Sequence, residues 1–141
     1  MIYIQESGLN RQLQLIEFFA GHEPYQLVLW YYPEATCQTI PIFNTGISRS
    51  ALKPVTEYSD GFIPYHSHPV KAKPSLISYL YRFTSELISS VDSVCLYPMD
   101  SNDWVACAIG HEGICLVKDS KRLRLLKEKG FNASASAPEG W

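Results

Sequence analysis

The chain has 141 residues, of which 46% are hydrophobic and 13% aromatic, and its formal net charge is −2. A chain of this length most simply forms one domain with a single core, and this composition excludes a disordered chain. The 12 basic and 14 acidic residues also argue against a general nucleic-acid or anionic-membrane surface, because such a surface needs a basic excess.

The N-terminal residues and the cysteines indicate the cellular compartment of the protein. Residues 1–6 lack the basic segment and long apolar stretch of a secretory signal, and no apolar run of 18 residues occurs. The cysteines form no CxxC pattern, and they are Cys37, Cys95, Cys107 and Cys115. We therefore expect a cytoplasmic protein with reduced thiols and no membrane partner.

The first elements have clear boundaries in the sequence. Residues 2–4 are expected to form a short edge strand. Apolar residues spaced three to four apart predict a helix over residues 9–20, with Ser7 as its N-cap and Gly21 just beyond its end. This helix and the strand after it should anchor the fold.

The middle of the chain alternates strands and loops. The aromatic and β-branched residues 25–32 predict a buried strand, and residues 36–43 a second strand paired with it in a hairpin. Residues 47–60 predict a loop with one short strand. A strand is expected over residues 61–66, followed by an extended connection at 69–74.

The second half predicts a helix that begins at an N-cap, Ser75, and continues to about residue 91. Strands are predicted near residues 93–97, 103–109 and 113–118. The middle one is apolar on both faces, so it should be the central, doubly covered strand of the sheet.

The last element predicted is a short basic helix over residues 121–129, capped by Ser120 and ended by Gly130. Residues 1–130 should form the globular domain, and residues 131–141 a flexible tail. The order α-β-β-β-α-β-β-β-α predicts a mixed α/β (α+β) domain, with a largely antiparallel sheet and a helix on each face.

Two of the four histidines lie together in the segment of residues 61–69. His66 and His68, at positions i and i+2 of an extended segment, point to the same side. Neutral imidazole is the commonest protein ligand for zinc, so the pair has a metal-ligand geometry. Two histidines that bind no metal, at the end of a strand, would give the same sequence pattern.

A strand that ends Tyr-His-Ser-His-Pro, then a short loop, then a Pro-Ser pair that opens a helix, resembles the JAB/MPN (JAMM) metalloprotease domain. In that family two His and an Asp bind zinc, a Ser helps to hold the intermediate, and an upstream Glu acts as general base. The metal lowers the pKa of its bound water towards ~7.

The resemblance assigns roles to five positions. His66 and His68 match the zinc ligands, and Ser75 matches the catalytic Ser one residue early. Ser78 stands where the Asp ligand is expected, and a serine hydroxyl is a poor ligand by comparison. Gln26 stands at the Glu position and cannot serve as general base.

The resemblance therefore implies a degenerate zinc-hydrolase site on a domain that acts mainly through protein–protein interaction, with zinc as its possible cofactor. One alternative is an immunity, anti-effector or adaptor-type binding protein of unrelated α/β fold. Another is an active zinc-dependent isopeptidase or peptidase, in which Glu23 or Glu34 replaces the missing base.

Two further patterns have simpler interpretations. Cys95, Cys107 and Cys115 with His111 could form a second metal site, or a Cys–His nucleophilic pair. Strand alternation puts Cys107 and Cys115 on opposite faces, so core thiols are the better interpretation. The basic helix suggests a solvated outer face, with docking to an acidic protein or an RNA backbone as the alternative.

Overall fold

A computed structural model of the chain describes residues 1–33, 40–43 and 51–141, together with the backbone of residues 47–48. The strands are β1 (Ile2–Gln5), β2 (Tyr25–Tyr31), β3 (Ile47–Ser48), β4 (His66–Ser67), β5 (Val70–Lys71), β6 (Val91–Pro98), β7 (Ala106–Ile109), β8 (Ile114–Val117) and β9 (Ala133–Ser134). The helices are α1 (Leu9–Ala20), α2 (Pro74–Leu80), α3 (Thr84–Ser90) and α4 (Leu123–Glu128).

The fold is α+β, with one sheet in which each strand pairs antiparallel with its neighbours. The order across the sheet is β3-β4-β2-β6-β7-β8-β1-β9, and β5 pairs with β2 beside β4. The predicted mixed, antiparallel α+β class is confirmed. Within the described residues, no helix is long and apolar enough to cross a membrane.

All four helices pack on one face of the sheet, where they form the helix-side core. They bury there Leu13, Leu15, Ile16 and Phe19 from α1, Leu76, Ile77 and Leu80 from α2, Leu87 from α3 and Leu126 from α4. The predicted helix on each face is therefore wrong. The other face forms the loop-side core, in which Leu52 and Val55 of a loop cover Trp30 and other strand residues.

Several boundaries agree with the sequence prediction. Helix α1 spans the predicted residues, although its N-cap is Gly8 rather than Ser7 and no side chain caps it. Strand β2 also lies as expected. Strand β7 is fully buried between β6 and β8, as predicted for the central apolar strand, although it begins at Ala106 and not at residue 103.

Other boundaries differ because pairing depends on distant residues. Strand β1 is not an edge strand, since the segment after α4 returns and β9 pairs with it. Of the second predicted strand, residues 36–39 lie outside the described residues, and Pro41–Phe43 form a 3₁₀ turn. The strand predicted over residues 61–66 begins only at His66, after an irregular loop.

The long helix predicted from Ser75 is divided. Pro74 is its first residue and Lys73 its N-cap, so Ser75 is not the cap. A 3₁₀ turn follows α2, and Phe83, with φ −124° and ψ 38°, interrupts the helical path before α3. Similarly, Asp119 rather than Ser120 caps the turn before α4, by accepting a hydrogen bond from the Lys121 N–H at 3.0 Å.

Candidate functional site

The segment that carries the histidine pair lies against β2. Trp30 is opposite His66 in β4, and Leu27 is opposite Val70 in β5, so this segment has one extra residue between the two pairs. Such an extra residue makes a β-bulge, which locally disrupts the hydrogen-bond ladder. The Ser67 hydroxyl compensates by accepting a hydrogen bond from the Leu29 N–H at 2.9 Å.

The His66 side chain is buried in the loop-side part of the molecule. It is 1% exposed, and its ring centroid lies 4.7 Å from that of Trp30. Its Nδ1 lies 2.6 Å from the carbonyl oxygen of Ser67. Burial lowers the pKa of His66 below its usual value, more than the contact with the Ser67 carbonyl raises it.

Of the other positions expected at the zinc site, His68 lies near His66, where its charge adds to the effect of burial in lowering the pKa of His66. His68 is exposed. Ser75 and Ser78 are exposed on α2, whose opposite side packs into the helix-side core. Gln26 is half-buried and shares a face of β2 with Trp30, but it lies opposite Lys71 at the other end of the pairing. Among the described residues, the structure therefore places Gln26 on the same face as His66, places His68 near His66, and leaves Ser75 and Ser78 on the exposed side of α2.

This donor set does not fit zinc in the present arrangement. In the part of the chain that the structure describes, no three His, Cys, Asp or Glu side chains are grouped to hold a metal ion. Glu23, a candidate base, accepts a hydrogen bond from the Tyr25 hydroxyl and pairs with Arg122. Glu34, the other candidate, lies outside the described residues.

The cysteines do not assemble with His111 either. Cys95 and Cys107 face each other in the loop-side core, with their Sγ atoms 2.7 Å apart, whereas Cys115 lies in the helix-side core. Burial raises the pKa of Cys107 and of Cys115 above the usual thiol value. These three cysteines are core thiols, as predicted, and Cys37 lies outside the described residues.

A polar cluster that sequence reasoning missed lies between β6, α1 and the turn after β7. Trp30 pairs with Ser93 and Tyr31 with Val91, so Asp92 is the extra residue of a second β-bulge. Bulges re-aim side chains, and the Asp92 carboxylate is buried, with 3% of its side chain exposed.

Asp92 contacts a histidine at the surface of this cluster. Its Oδ1 lies 3.3 Å from Nδ1 of His111, whose side chain is 41% exposed. The His111 Nε2 lies 3.6 Å from Glu112 Oε1, and the ring of Tyr32 meets the imidazole edge-on at a centroid distance of 5.7 Å. The Asp92 carboxylate thus orients the imidazole ring.

Gln12 adds a second buried acceptor. It is 1% exposed, and its Nε2 donates a hydrogen bond to the Glu6 carbonyl at 2.7 Å, which sets the orientation of the amide. Among the described residues, neither Gln12 Oε1 nor Asp92 Oδ2 has a hydrogen-bond partner. Buried polar atoms without partners are uncommon, so each calls for an explanation.

Two adjoining cavities are lined by these residues, Gln12 in both and Asp92 in the smaller one. An outer cavity of about 240 Å³ has His111 and Ile88 in its lining. An inner one of about 10 Å³ is lined by Asp92. Their shared lining residues are Leu9, Gln12, Leu87, Val91 and Gly110. We call the two together the Asp92 pocket.

Two sequence signals could have indicated this cluster. Gln12 is a polar residue beside Leu13 on the apolar stripe of α1, and Asp92 is the second residue of the mostly apolar strand β6. A polar residue on an apolar face needs a partner or a function. Only the bulge, however, brings Asp92 towards Gln12.

Comparisons with models of protein families, with curated proteins and with solved structures found no match for this chain.

Proposed function

We propose that this chain is a protein-binding domain on a scaffold similar to the JAB/MPN domain, with a zinc-hydrolase site that has lost its catalytic set. The connectivity supports the proposal. The strand segment that carries His66 leads through β5 into α2, and α1 packs on the same sheet. The resemblance requires this sequence of elements.

The state of His66 is the observation that carries the proposal. Its ring is 1% exposed and enclosed against Trp30, and its Nδ1 faces a backbone carbonyl, so the imidazole is packed into the interior instead of being presented at an open site. The residues at the expected positions of the general base and of the third zinc ligand also indicate a lost catalytic set. Gln26 has no titratable proton to exchange, and Ser78 offers a hydroxyl in place of a carboxylate.

The same segment offers a surface for a partner. Ile63 is 58% exposed and Tyr65 45% exposed, two residues apart and immediately before β4. The Tyr65 carbonyl accepts a hydrogen bond from the Tyr31 N–H at 3.0 Å, which attaches this loop to β2. Aromatic residues on an anchored backbone are typical of protein interfaces. We call Ile63 and Tyr65 the 63–65 surface.

Metal analysis tests the loss of the hydrolase site. We expect the purified protein, incubated with one equivalent of zinc and desalted, to retain far less than one zinc per chain, and to leave isopeptide-linked and C-terminal peptide substrates uncleaved. The His66→Ala/His68→Ala double variant is the control and should retain the same amount. Stoichiometric zinc in the parent chain that is lost in the double variant would contradict the proposal.

Crosslinking in cells tests the 63–65 surface. A photo-reactive amino acid at position 63 or 65 should capture one and the same protein, because both side chains project from one anchored loop. The matched control is position 127, an exposed lysine site on α4. The Tyr65→Ser substitution in the position-63 variant should reduce capture about tenfold, as expected for an interface anchor. Equal capture from position 127, or none from 63 and 65, contradicts the proposal.

A further inference from the structure

The inner part of the Asp92 pocket combines a very small volume with two buried hydrogen-bond acceptors in its lining residues. Its volume of about 10 Å³ matches a single water-sized group. Two acceptors without partners among the described residues belong to its lining residues, namely Asp92 Oδ2 and Gln12 Oε1. Because the Gln12 amide is held by the Glu6 carbonyl, its Oε1 cannot become a donor by flipping without losing that bond.

The outer part has a different character. Leu9, Leu87, Ile88 and Val91 contribute apolar walls, and its volume of about 240 Å³ accommodates several carbon atoms. His111 and Ser7 lie in its lining as polar groups. A compact apolar cavity that ends at a few converging polar atoms is the usual form of a small-molecule site.

We propose that the Asp92 pocket binds a primary ammonium group carried on a small aliphatic body. The ammonium has three donors, two of which satisfy Asp92 Oδ2 and Gln12 Oε1 in the inner cavity. The aliphatic body then lies between the apolar side chains of the outer cavity. The proposal is independent of the resemblance to the JAB/MPN domain.

The charges around the pocket favour a cation. Asp92 lines the inner cavity, and Glu112 contacts His111 in the lining of the outer cavity. The His111 Nδ1 lies 3.3 Å from Asp92 Oδ1 and can donate a hydrogen bond to it. The first turn of α1 contributes a partial positive charge near Leu9, smaller than one full carboxylate charge. Arg11 is directed elsewhere, to Glu6 and to the Gly130 carbonyl.

Binding of isopentylamine to the full chain, measured by NMR titration, tests this site. We expect a dissociation constant on the order of 1 mM, as befits so small a ligand. The resonances of the Gln12 side-chain amide and the His111 ring should shift. Isopentanol has nearly the same shape without the charge, and it should bind about tenfold more weakly or not at all.

Two variants separate the contribution of the Asp92 charge to binding from the contribution of the space in the pocket. Asp92→Asn keeps the shape and removes the charge, so it should weaken isopentylamine binding about tenfold or more. Gly110→Ala keeps the charge but places a methyl group 3.8 Å from Gln12 Oε1, and it should weaken binding through loss of space. The control Asp100→Asn, in an exposed turn, should bind as the parent chain does.

Three outcomes would overturn the proposal. They are equal affinity for isopentylamine and isopentanol, unchanged amine binding in folded Asp92→Asn, and no amine binding to the parent chain. In the last case the inner cavity holds water only, which also satisfies the two acceptors. Because Gly110→Ala leaves the carboxylate in place, it tests the site if Asp92→Asn fails to fold, and unchanged amine binding in Gly110→Ala would then overturn the proposal.

Discussion

At the scale of single residues, the buried ring of His66 couples folding to pH. Burial lowers the pKa of this imidazole, whereas the same group in the unfolded chain has the ordinary value of about 6.5. Below that pH the unfolded chain takes up a proton that the folded chain does not yet bind. The folded state therefore has its full stability above about pH 6.5 and loses stability as the pH falls towards the lowered pKa.

Denaturant unfolding at several pH values tests this coupling. The parent chain should lose free energy of unfolding between pH 7 and pH 5, and the His66→Gln variant should lose less over the same interval, whatever its absolute stability. His22→Gln is the matched control, since His22 is exposed and is not among the groups that shift the pKa of His66, and its pH profile should parallel that of the parent. Parallel profiles for the parent and His66→Gln would refute the role of His66.

The Tyr31 hydroxyl is another buried polar group, without a hydrogen-bond partner among the described residues. Burial raises the pKa of Tyr31 to about 12, so this phenol stays neutral at physiological pH. Its neighbour in sequence, Tyr32, contacts His111 at the Asp92 pocket. The end of β2 thus places one tyrosine in the helix-side core and the next beside the candidate ligand site.

At the scale of elements, β2 is bordered by bulges on both sides. On the β6 side the extra residue is Asp92, and on the other side the extra residue lies between β4 and β5. Each bulge is accompanied by a polar group, Asp92 in one case and the Ser67 hydroxyl in the other. The two candidate sites of this protein therefore arise where the regular pairing of β2 is interrupted.

The loop that covers the loop-side core is attached to the sheet by two linked hydrogen bonds. The Trp30 Nε1–H donates to the Tyr97 hydroxyl at 2.9 Å, and that hydroxyl donates to the Lys53 carbonyl at 2.7 Å. Burial raises the pKa of Tyr97 well above its usual value, so the hydroxyl keeps its proton. These two hydrogen bonds hold the loop whose later residues form the 63–65 surface.

At the scale of the whole molecule, the first residues of the C-terminal segment join the sheet and its core. Residues 131–141 were expected to form a flexible tail. In the structure β9 pairs with β1, Phe131 and Ala133 are buried, and Arg11 lies over the Phe131 ring at 4.3 Å. The segment thus covers an edge of the sheet that would otherwise be open.

Truncation after residue 130 tests this role. It removes the buried Phe131 side chain and the hydrogen bond from the Gln5 N–H to the Asn132 carbonyl, so the free energy of unfolding should fall by about 3 kcal/mol. Truncation after residue 134 is the control, because it keeps β9, and it should cost much less. If both truncated chains unfold at the denaturant concentration of the full chain, the segment does not stabilise the fold.

The local sequence determined the elements that depend on local periodicity. The spacing of Leu13, Ile16 and Phe19 predicted α1, and the apolar runs predicted β2 and β7 at nearly the right residues. The α+β class and the antiparallel sheet followed from the order of these elements. The partner of each strand did not follow, because an apolar residue identifies a buried face without identifying what covers it.

The candidate sites show even more clearly which features follow from the sequence and which depend on the tertiary structure. Residue identity alone indicated that Gln26 and Ser78 depart from the residues of a zinc hydrolase. Only the tertiary structure placed His66 against Trp30 and brought Asp92 towards Gln12, through bulges that depend on pairing between distant strands. Chemistry is carried by residue type, which the sequence contains, whereas convergence of side chains depends on the register of strands far apart along the chain.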